Sequence, residues 1–480
     1  MFDVAIIGGG VVGGMIARTL SAYNLHICIL EKERDVAMGA TKANSAIVHA
    51  GFDAKEGSLK ARLNVRGSEM MEQVTRELGV KYRRNGSLVI GFNGEDKKHL
   101  EELLVRGNEN GVKGLRLLDR DEVQALEPNI SESVTCALHA PTGAIVCPYE
   151  LCIAAIGNAM DNGAALYRDF AVSSIKRTEN GYEISRYNGE TVFARYIVNA
   201  AGVFADEIAR MAGDFSFSIH PRRGEYVLLD KECGGTVSHT IFRTPSKMGK
   251  GILVSPTVDN NLLLGPTSVD MEDKEEKETT AEGLALVMRE ASENLKIPVP
   301  FGKSITSFCG LRAVGNTGDF IINVHDGRFV NVAGIESPGL SASPAIAEYV
   351  LGLLTKHGLC LEKKADYNPI REPKHAFREA SIEEKNAIIE KDPTYGRIIC
   401  RCEQVTEGEI LDAIRSNPTA LDIDGVKRRT RSGMGRCQGG FCGPYVMELL
   451  AREYGTSMEC VTKMGGGSVM VVGKTKGDLS

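Results

Sequence analysis

The stretch that decides the fold is Val4-Ala5-Ile6-Ile7-Gly8-Gly9-Gly10-Val11-Val12-Gly13-Gly14, near the start of the chain. Its apolar run predicts a buried parallel strand, and its glycines lead into a predicted helix over Met15–Ala22. In this G-x-G-x-x-G pattern, Gly8 makes the tight turn, Gly10 lets the backbone approach a pyrophosphate, and Gly13 lets helix and strand pack closely. The helix N-terminus offers N–H groups to the phosphates. The stretch therefore predicts a dinucleotide-binding site.

A second predicted strand, His26–Leu30, ends at an acidic residue that narrows the choice of nucleotide. Glu31 follows Gly8 by 31 − 8 = 23 residues. This is close to the spacing of about 20 residues expected for an acid that holds a ribose hydroxyl. Because an acid at this position disfavours a 2′-phosphate, the pattern indicates FAD or NAD rather than NADP.

Composition limits the classes of protein that remain. The chain has 480 residues, enough for two or three domains, and its net charge of −6 does not favour nucleic-acid binding. Charged residues make up 25% and hydrophobic residues 42%, which excludes wholesale disorder. No apolar run approaches the ~20 residues needed to span a bilayer, and the N-terminus lacks the features of a signal peptide. We therefore expect a soluble, cytoplasmic protein.

Three further glycine-containing segments carry a family resemblance. They are Gly39–Gly51, which reads G-A-T-K-A-N-S-A-I-V-H-A-G, then Tyr196–Asp206, and Phe329–Ala342, which precedes an apolar helix. Together with the first motif, these segments resemble the D-amino-acid-oxidase-like FAD superfamily over residues 1–360. The resemblance implies FAD as the cofactor. It also implies an α/β fold, in which a Rossmann-like FAD-binding domain carries an antiparallel β-rich substrate domain that covers the flavin.

The resemblance also implies which residues hold FAD. The segment that begins at Gly39 runs along the pyrophosphate and under the flavin, and the helix that follows Pro338 points its N-terminus at the flavin pyrimidine. A helix N-terminus there stabilises negative charge on the reduced ring. The implied cofactor-binding residues are Gly8, Gly10, Val12, Gly13, Glu31, Lys32, Thr41, Lys42, Asn44, Ser45, Val172, Ala201, Gly202, Gly310, Arg312, Gly334, Pro338, Gly339, Leu340 and Ser341.

The spacing of these segments predicts the domain organisation. The FAD-binding domain is discontinuous, and the intervening strand-like runs are typical of an antiparallel sheet that supplies substrate contacts. The predicted boundaries are 1–80, 145–215 and 305–360 for FAD binding, 81–144 and 216–304 for the substrate domain, 361–396 for a linker, 397–450 for a small helical domain and 451–480 for a tail.

Cysteines are concentrated near the end of the chain, where five of the twelve lie in the last 84 residues. Four of these five form two close pairs, Cys400-x-Cys402 and Cys437-x₄-Cys442. In a reducing compartment, such pairs are more often metal or redox ligands than disulfides. Four thiolates suit either a [2Fe–2S] cluster or a structural zinc ion, and unliganded thiols are a third interpretation.

Residues 397–450 resemble the bacterioferritin-associated-ferredoxin-like [2Fe–2S] domain, which implies that Cys400, Cys402, Cys437 and Cys442 ligate the cluster. The segment Arg428–Gly439 is similar to the end of anaerobic glycerol-3-phosphate dehydrogenase A subunits. The basic run Lys427–Arg436 is interpreted as an exposed face that balances the cluster's charge or docks a partner, rather than as a nucleic-acid site. Most of the other cysteines are expected to be small buried hydrophobic residues.

A flavin and a one-electron cluster on one chain imply a dehydrogenase. A substrate C–H delivers hydride to flavin N5, and electrons leave singly through the cluster to a partner electron-transfer subunit. Arg312, in a G-L-R segment, matches the superfamily arginine that binds the substrate's anionic group, and Arg223 is a second candidate anion contact. His49 is the first candidate for the base that takes the hydroxyl proton, with cofactor positioning as its alternative role. His239 is the second candidate base, with an ordinary strand histidine as the alternative interpretation.

Two resemblances suggest different substrates. The cluster-domain signature favours sn-glycerol 3-phosphate, oxidised to dihydroxyacetone phosphate. The segments Ala43–Gly51, Glu56–Ala61 and Arg223–Tyr226 are similar to L-2-hydroxyglutarate dehydrogenases, and Phe52-Asp53-Ala54 replaces an arginine that glycerol-3-phosphate dehydrogenases usually carry. Both substrates are anionic secondary alcohols. We favour glycerol 3-phosphate, with a 2-hydroxy acid or an amino acid as alternatives, and an electron-transfer subunit without its own substrate as the alternative of another class.

Overall fold

The computed structural model describes residues 1–244, 251–372, 377–473 and 475. The chain forms two compact units. The first contains Met1–Lys32 and Ala37–Arg371, and the second contains Glu33–Val36 and Glu372–Ser480. The division at residue 371 falls within the predicted linker, of which residues 373–376 lie outside the described residues. Residues 474 and 476–480 of the predicted tail also lie outside them.

The helices and strands of the described residues of the first unit follow in chain order. The strands are β1 (Phe2–Ile7), β2 (Ile27–Leu30), β3 (Ile47–Val48), β4 (Tyr82–Arg83), β5 (Ser87–Gly91), β6 (Arg116–Asp119), β7 (Cys136–Ala140), β8 (Ala144–Val146), β9 (Ala165–Tyr167), β10 (Val172–Thr178), β11 (Gly181–Arg186), β12 (Thr191–Asn199), β13 (Ile219–Leu229), β14 (Thr240–Arg243), β15 (Leu253–Pro256), β16 (Leu262–Gly265), β17 (Val269–Asp270), β18 (Ser304–Gly315), β19 (Ile321–His325) and β20 (Phe329–Ala333). The helices are α1 (Val11–Leu20), α2 (Leu59–Glu77), α3 (Gly94–Glu109), α4 (Arg120–Leu126), α5 (Pro148–Asp161), α6 (Ala205–Met211), α7 (Ala281–Glu293) and α8 (Gly339–Lys356).

A largely parallel sheet organises the nucleotide-binding part of the first unit. Its parallel strands run in the order β9-β2-β1-β12-β20. The antiparallel strands β11 and β19 pair with β12 and β20. β2 and most of β1 are buried, as expected for parallel strands covered on both faces. Because parallel strands end at one edge of the sheet, the residues that follow β1, β2, β12 and β20 meet there; these residues are Gly8, Glu31, Ala200 and Gly334.

Helices cover this sheet and reach the same edge. α1 packs against α5 and α8, and α2 packs against α8. The α2–α8 contact is close, since a Cβ added to Gly67 would lie 2.2 Å from the carbonyl oxygen of Ser341. A short three-stranded sheet, β3-β8-β4, lies beside them. No helix in the described ranges is long and apolar enough to cross a membrane.

A second sheet of the first unit has the order β17-β13-β16-β15-β14-β5-β7-β6, with β18 beside β13. Its pairs are antiparallel except for β5 with β14. One face packs against α4 and α7, and it buries alternate residues of three strands, namely Leu88, Ile90, Val227, Leu229, Leu262 and Leu264. The predicted α/β class is confirmed, with its parallel nucleotide-binding sheet and its separate, mainly antiparallel sheet.

The sequence analysis assigned one strand of the second sheet to a different domain. β18 lies in the segment 305–360 that was predicted to belong to the FAD-binding domain, yet it pairs with β13 along most of its length. Gly310 of β18 explains why the strand resembles part of the FAD-binding domain. It packs against the nucleotide-binding segment so closely that an added Cβ would lie 1.9 Å from the carbonyl oxygen of Ala43. β18 therefore contacts the nucleotide-binding segment while it belongs to the antiparallel sheet.

The second unit is small and mainly helical. Its described helices and strands are α9 (Ile382–Lys391), β21 (Ile398–Cys400), β22 (Val405–Thr406), α10 (Glu407–Arg415), α11 (Ile423–Thr430) and α12 (Gly443–Tyr454). The predicted capping box of Thr406 and Glu409 is present at the start of α10. The apolar residues that were expected on the inner faces of α10 and α12 form its core, namely Ile410, Leu411, Ile414, Val446, Leu449 and Leu450.

The basic run of the second unit is largely buried, which corrects the prediction that it forms an exposed face. Arg428, Arg429 and Arg431 are 5%, 6% and 8% exposed. Buried carboxylates neutralise them: Asp35 accepts hydrogen bonds from Arg428 at 2.6 Å and from both terminal nitrogens of Arg429 at 2.7 Å. Glu403 accepts one from Arg431 at 3.0 Å. Burial raises the pKa of Asp35, but the two guanidinium groups outweigh it and hold that pKa well below its usual range.

We expect the substitution Asp35→Asn to destabilise the second unit by about 3–5 kcal/mol, because it leaves two buried guanidinium groups without a counter-charge. Hydrogen exchange measured by mass spectrometry should show lower protection of α11 and α12. The exposed pair of Asp3 with Arg195 provides the control Asp3→Asn, which should leave this protection unchanged. Since the pKa of Asp35 is depressed in the folded state, its stabilisation is present above the unfolded pKa of about 3.9 and is lost as the pH falls below it. Equal protection in the two variants would contradict the assignment.

Candidate functional site

The turn between β1 and α1 forms a cradle that only glycine permits. Gly8 has a φ of +114°, and a Cβ on it would lie 2.4 Å from the carbonyl oxygen of Ala200. A Cβ on Gly13 would lie 2.1 Å from the carbonyl oxygen of Gly8. Gly10 is the N-cap of α1, and it provides no side chain to cap the helix. The N–H of Val11 donates to the Thr41 hydroxyl, and the remaining N–H groups of the first turn are placed to bind a phosphate group, as the glycine motif predicts.

Residues that follow β2 lie beside this turn. Glu31 is buried, and its carboxylate accepts a hydrogen bond from the N–H of Gly9 at 2.7 Å. Lys32 forms an ion pair with Glu275 at 2.9 Å, and its ammonium group lies 4.4 Å from the centre of the Phe204 ring. A carboxylate held at the end of β2, next to the glycine turn, is placed to accept a ribose hydroxyl.

The segment that begins at Thr41 runs from the glycine turn towards β3. The hydroxyl of Thr41 accepts a hydrogen bond from the N–H of Val11 at 3.0 Å. Asn44 closes a local turn: its side chain donates to the carbonyl of Thr41 and accepts from the N–H of Ala46. The hydroxyl of Ser45 lies 3.1 Å from that of Tyr226. The side chains of this segment therefore fix its backbone beside the N-terminus of α1.

The N-terminus of α8 meets the end of the same segment. Pro338 is its N-cap and makes no side-chain capping bond, while Gly334 turns the chain before it with a φ of +63°. The hydroxyl of Ser341 accepts a hydrogen bond from the N–H of His49 at 2.7 Å. The Nε2 atom of His49 lies 3.4 Å from the hydroxyl of Ser337. The structure therefore brings His49 to the open N-terminus of α8.

Arg312 lies on the face of the second sheet opposite its apolar core. Its terminal nitrogens donate weakly to the carbonyl oxygen of Thr267 at 3.3 and 3.4 Å. A Cβ on Gly224 would lie 2.9 Å from one of them. Among the described residues, no carboxylate lies within ion-pair distance of this half-buried guanidinium group. A buried cation without a counter-charge is costly, so this position fits a site for an anion.

Two other predicted substrate residues have different surroundings. Arg223 forms an ion pair with Glu276 at 3.1 Å, so its charge is already balanced. His239 contacts a different set of residues from His49, which lies against Ser337 and Ser341. Its Nδ1 atom lies 2.7 Å from the buried carboxylate of Glu127, and its ring packs edge-on against His139 at 5.7 Å.

The remaining predicted cofactor residues occupy the edges of the same sheet and its turns. Val12 is in the first turn of α1, and Val172 begins β10. Ala201 and Gly202 follow β12, where Gly202 has a φ of +59°. Lys42 ends a short 3₁₀ helix, and its ammonium group lies 3.9 Å from the sulfur of Met38. The first turn of α8 contains Gly339 and Leu340.

In the second unit, the four predicted ligand cysteines lie together. The sulfur atoms of Cys400 and Cys402 are 4.0 Å apart, and those of Cys402 and Cys437 are 3.7 Å apart. A hydrogen bond with Cys400 lowers the pKa of Cys442 to about 7, against the effect of burial. Burial opposes ionisation of Cys437, but the N–H of Phe441 and other neighbours lower its pKa. The hydrogen bond with Cys442 and burial raise the pKa of Cys400, and burial and the neighbouring thiols raise that of Cys402 to about 11. Each thiol with a lowered pKa therefore has a thiol with a raised pKa beside it, as expected where several thiols share one small space.

Four thiols suit either metal centre that the sequence analysis left open. A structural zinc ion needs four ligands around one point, whereas a two-iron cluster takes two thiolates per iron. The side chain of Cys442 also lies directly before α12, whose N-terminus has no side-chain cap. An uncapped helix N-terminus beside the thiols favours a negatively charged centre such as a [2Fe–2S] cluster.

Sequence reasoning missed several residues around these sites. Tyr226 of β13 contacts Ser45, and Thr267, between β16 and β17, contacts Arg312. Ser337 contacts His49. The signal that was available for Tyr226 was its place in the R-G-E-Y segment, which had been used only to compare substrates. For Thr267 and Ser337 the sequence contains no comparable motif.

Comparison with known proteins agrees with both halves of this description. The model of the FAD dependent oxidoreductase family matches residues 3–353, and that of the BFD-like [2Fe-2S] binding domain matches residues 398–452. The predicted cofactors, FAD and a [2Fe–2S] cluster, are confirmed by these matches. The residues assigned to hold them remain predictions, which the glycine cradle and the thiol set support.

Three relatives illustrate the similarity. The chain is 48% identical to the glycerol 3-phosphate dehydrogenase of Caloramator mitchellensis over the full length of both proteins. It is 31% identical to the mitochondrial L-2-hydroxyglutarate dehydrogenase of Bos taurus over 56% of this chain and 61% of the relative. The dithionite-reduced L-alpha-glycerophosphate oxidase of Mycoplasma pneumoniae, solved with FAD bound, is 30% identical with a TM-score of 0.73, covering 77% of this chain and 98% of that one.

Proposed function

Because the chain belongs to the family of FAD-dependent oxidoreductases, we propose that it is a dehydrogenase that oxidises the secondary alcohol of sn-glycerol 3-phosphate to dihydroxyacetone phosphate. The observation that carries the proposal is Arg312, a half-buried cation whose charge no described carboxylate balances. The full-length similarity to a glycerol 3-phosphate dehydrogenase supports the choice of substrate.

Each residue of the site has a separate role in the proposed reaction. The guanidinium group of Arg312 binds the phosphate through paired N–H donors. His49 takes the hydroxyl proton at Nε2, the atom that faces Ser337, because histidine exchanges protons readily near neutral pH. The N–H groups at the start of α8 stabilise negative charge that develops beside them. When bound, FAD supplies the acceptor for the hydride that leaves the alcohol carbon, and the cluster supplies a one-electron carrier.

Electrons leave the protein through the second unit to a partner electron-transfer protein. The loop between Cys437 and Cys442 is at the surface, and the ring of Phe441 is 73% exposed. Arg401, between two of the ligand cysteines, is exposed as well. A cluster whose ligands lie beside exposed residues is accessible to a second protein, whereas an oxidase that passes electrons to oxygen needs no cluster.

L-2-hydroxyglutarate is the second candidate substrate. A carboxylate fits the guanidinium fork of Arg312 as well as a phosphate does, and the similarity to the L-2-hydroxyglutarate dehydrogenase supports it. The electron-transfer subunit without a substrate is less well supported, because it gives no reason to bury an unbalanced cation beside the flavin-binding segment.

Anaerobic mixing of the purified, FAD-loaded protein with each candidate substrate tests the proposal. We expect glycerol 3-phosphate to bleach the visible flavin absorbance, because it contains both the alcohol and the anion that the site recognises. L-2-hydroxyglutarate and glycerol should leave it unchanged at the same concentration. Bleaching by L-2-hydroxyglutarate alone would identify the second candidate. If no anionic alcohol bleaches the flavin, the dehydrogenase proposal is wrong.

A further inference from the structure

Tyr226 stands between the nucleotide-binding segment and the proposed anion site. We propose that Tyr226 is a positioning residue, whose hydroxyl and ring hold Arg312 at a fixed place relative to Ser45 and so set where the substrate anion binds. This inference rests on the proposed function of Arg312. It assigns a role to the R-G-E-Y segment of β13, which the description of catalysis leaves without one.

The contacts of Tyr226 are those of a fixed side chain. It is 3% exposed, and its ring stacks on that of Phe308 with a centre-to-centre distance of 4.8 Å and an angle of 15°. Its hydroxyl lies 3.1 Å from that of Ser45. Ring stacking and the hydroxyl contact together leave the side chain little rotational freedom. Tyr226 therefore links β13 to the segment that leads to His49.

The register of β13 and β18 places Arg312 on the same face. Tyr226 is opposite Phe308, and Gly224 is opposite Gly310. Residues at alternate positions of a strand share one face, so Arg312 and Tyr226 lie on the same side of the sheet. Gly224 leaves the space that the guanidinium group occupies, as the 2.9 Å approach of its added Cβ shows.

Glu225 holds Thr267, whose carbonyl oxygen accepts hydrogen bonds from Arg312. Its fully buried carboxylate accepts hydrogen bonds from the hydroxyl of Thr267 at 3.1 Å and from that of Thr280 at 2.9 Å. The carbonyl of the same Thr267 accepts from Arg312. Three consecutive residues of β13 therefore surround the guanidinium group: Gly224 leaves its space, Glu225 holds its partner Thr267, and Tyr226 lies close enough on the same face for the Arg312 charge to lower the pKa of its phenol.

Tyr226 is an uncharged neighbour of Arg312, so the charge of the arginine remains available to a substrate. Burial raises the pKa of Tyr226, while the Arg312 charge and the Ser45 contact lower it, and the pKa remains above its usual value. The phenol is thus uncharged at neutral pH, so it orients the cation without neutralising it. Arg223 provides the contrast within the same strand, because the carboxylate of Glu276 balances it.

The substitution Tyr226→Phe tests the role while it keeps the stacked ring. In the FAD-loaded protein, we expect KM for glycerol 3-phosphate and the calorimetric Kd for inorganic phosphate each to rise roughly tenfold, as for loss of a hydrogen bond near a charged group. The kcat value and the FAD content should change little. The control Tyr182→Phe removes another buried hydroxyl, which bonds to Arg177 in the parallel sheet, and should change neither constant.

The outcomes separate this inference from the proposed function. If Tyr226→Phe binds phosphate as tightly as the unaltered protein while Arg312→Ala does not, Tyr226 does not position the arginine. If Arg312→Ala also binds phosphate normally, both this inference and the anion role of Arg312 are wrong. A merely structural role for Tyr226 would lower FAD content and kcat together, which also contradicts positioning. If phosphate binding depends on both residues but glycerol 3-phosphate does not reduce the flavin, only the choice of substrate fails.

Discussion

Replacing Arg312 with alanine is expected to lower kcat/KM for glycerol 3-phosphate by roughly two to three orders of magnitude, the cost of removing one partner of a desolvated charge pair. The guanidinium group is half-buried, and the carbonyl of Thr267 is its main protein partner. The phosphate of the substrate would therefore lose its principal counter-charge. Steady-state kinetics with a soluble dye as electron acceptor measure the effect.

Two comparisons make the Arg312 result specific. Arg312→Lys keeps the charge but loses the planar fork, so it should recover part of the lost kcat/KM. Glycerol, which has no phosphate, should be oxidised equally poorly by the unaltered protein and by Arg312→Ala. Because Arg312 is also among the residues predicted to bind FAD, the kinetic constants are compared per FAD bound, with FAD content measured by absorbance in each of the three proteins. An unchanged kcat/KM in Arg312→Ala would show that the arginine does not bind the substrate anion.

Local sequence patterns predicted the parts of this protein that depend on a few consecutive residues. The glycines after β1 and the acid after β2 predict the nucleotide site, because each must adopt its conformation within its own turn. The spacing of the paired cysteines predicts the cluster ligands in the same way. The inner faces of α10 and α12 followed from helical spacing, and the capping box of Thr406 and Glu409 followed from a four-residue pattern.

Contacts between distant segments were not predictable in this way. Arg428 and Arg429 were interpreted as part of an exposed face because they belong to a run of basic residues. Their partner Asp35 lies almost four hundred residues earlier, in a short segment that belongs to the second unit. Similarly, the support of Arg312 comes from Tyr226 and Thr267, which only the pairing of β13 with its neighbours brings close. Sequence spacing contains no information about such pairs.

The substitution Cys437→Ser is expected to remove the [2Fe–2S] cluster and leave FAD bound. Cys437 is one of four thiols whose sulfur atoms lie together in the second unit. Burial opposes its ionisation, but the N–H groups of Phe441 and Gly439 and the Cys402 thiol lower its pKa, which favours the thiolate that a metal ligand requires. Serine cannot provide a thiolate, so iron should be lost, together with the visible and electron-paramagnetic-resonance signals of the cluster. FAD should remain, because its predicted ligands lie in residues 8–341 of the first unit.

The kinetic consequence of Cys437→Ser distinguishes the two electron-transfer steps. Glycerol 3-phosphate should still reduce the flavin of this variant, because the proposed substrate residues, His49 and Arg312, are unaltered. Transfer to a one-electron acceptor protein should be abolished, since the cluster is the proposed exit for electrons. Cys460→Ser, at an exposed cysteine of the same unit outside the ligand set, is the matched control and should keep its iron. Two irons per chain in Cys437→Ser would refute the ligand set. Undiminished transfer to the acceptor after iron loss would instead show that electrons leave directly from the flavin.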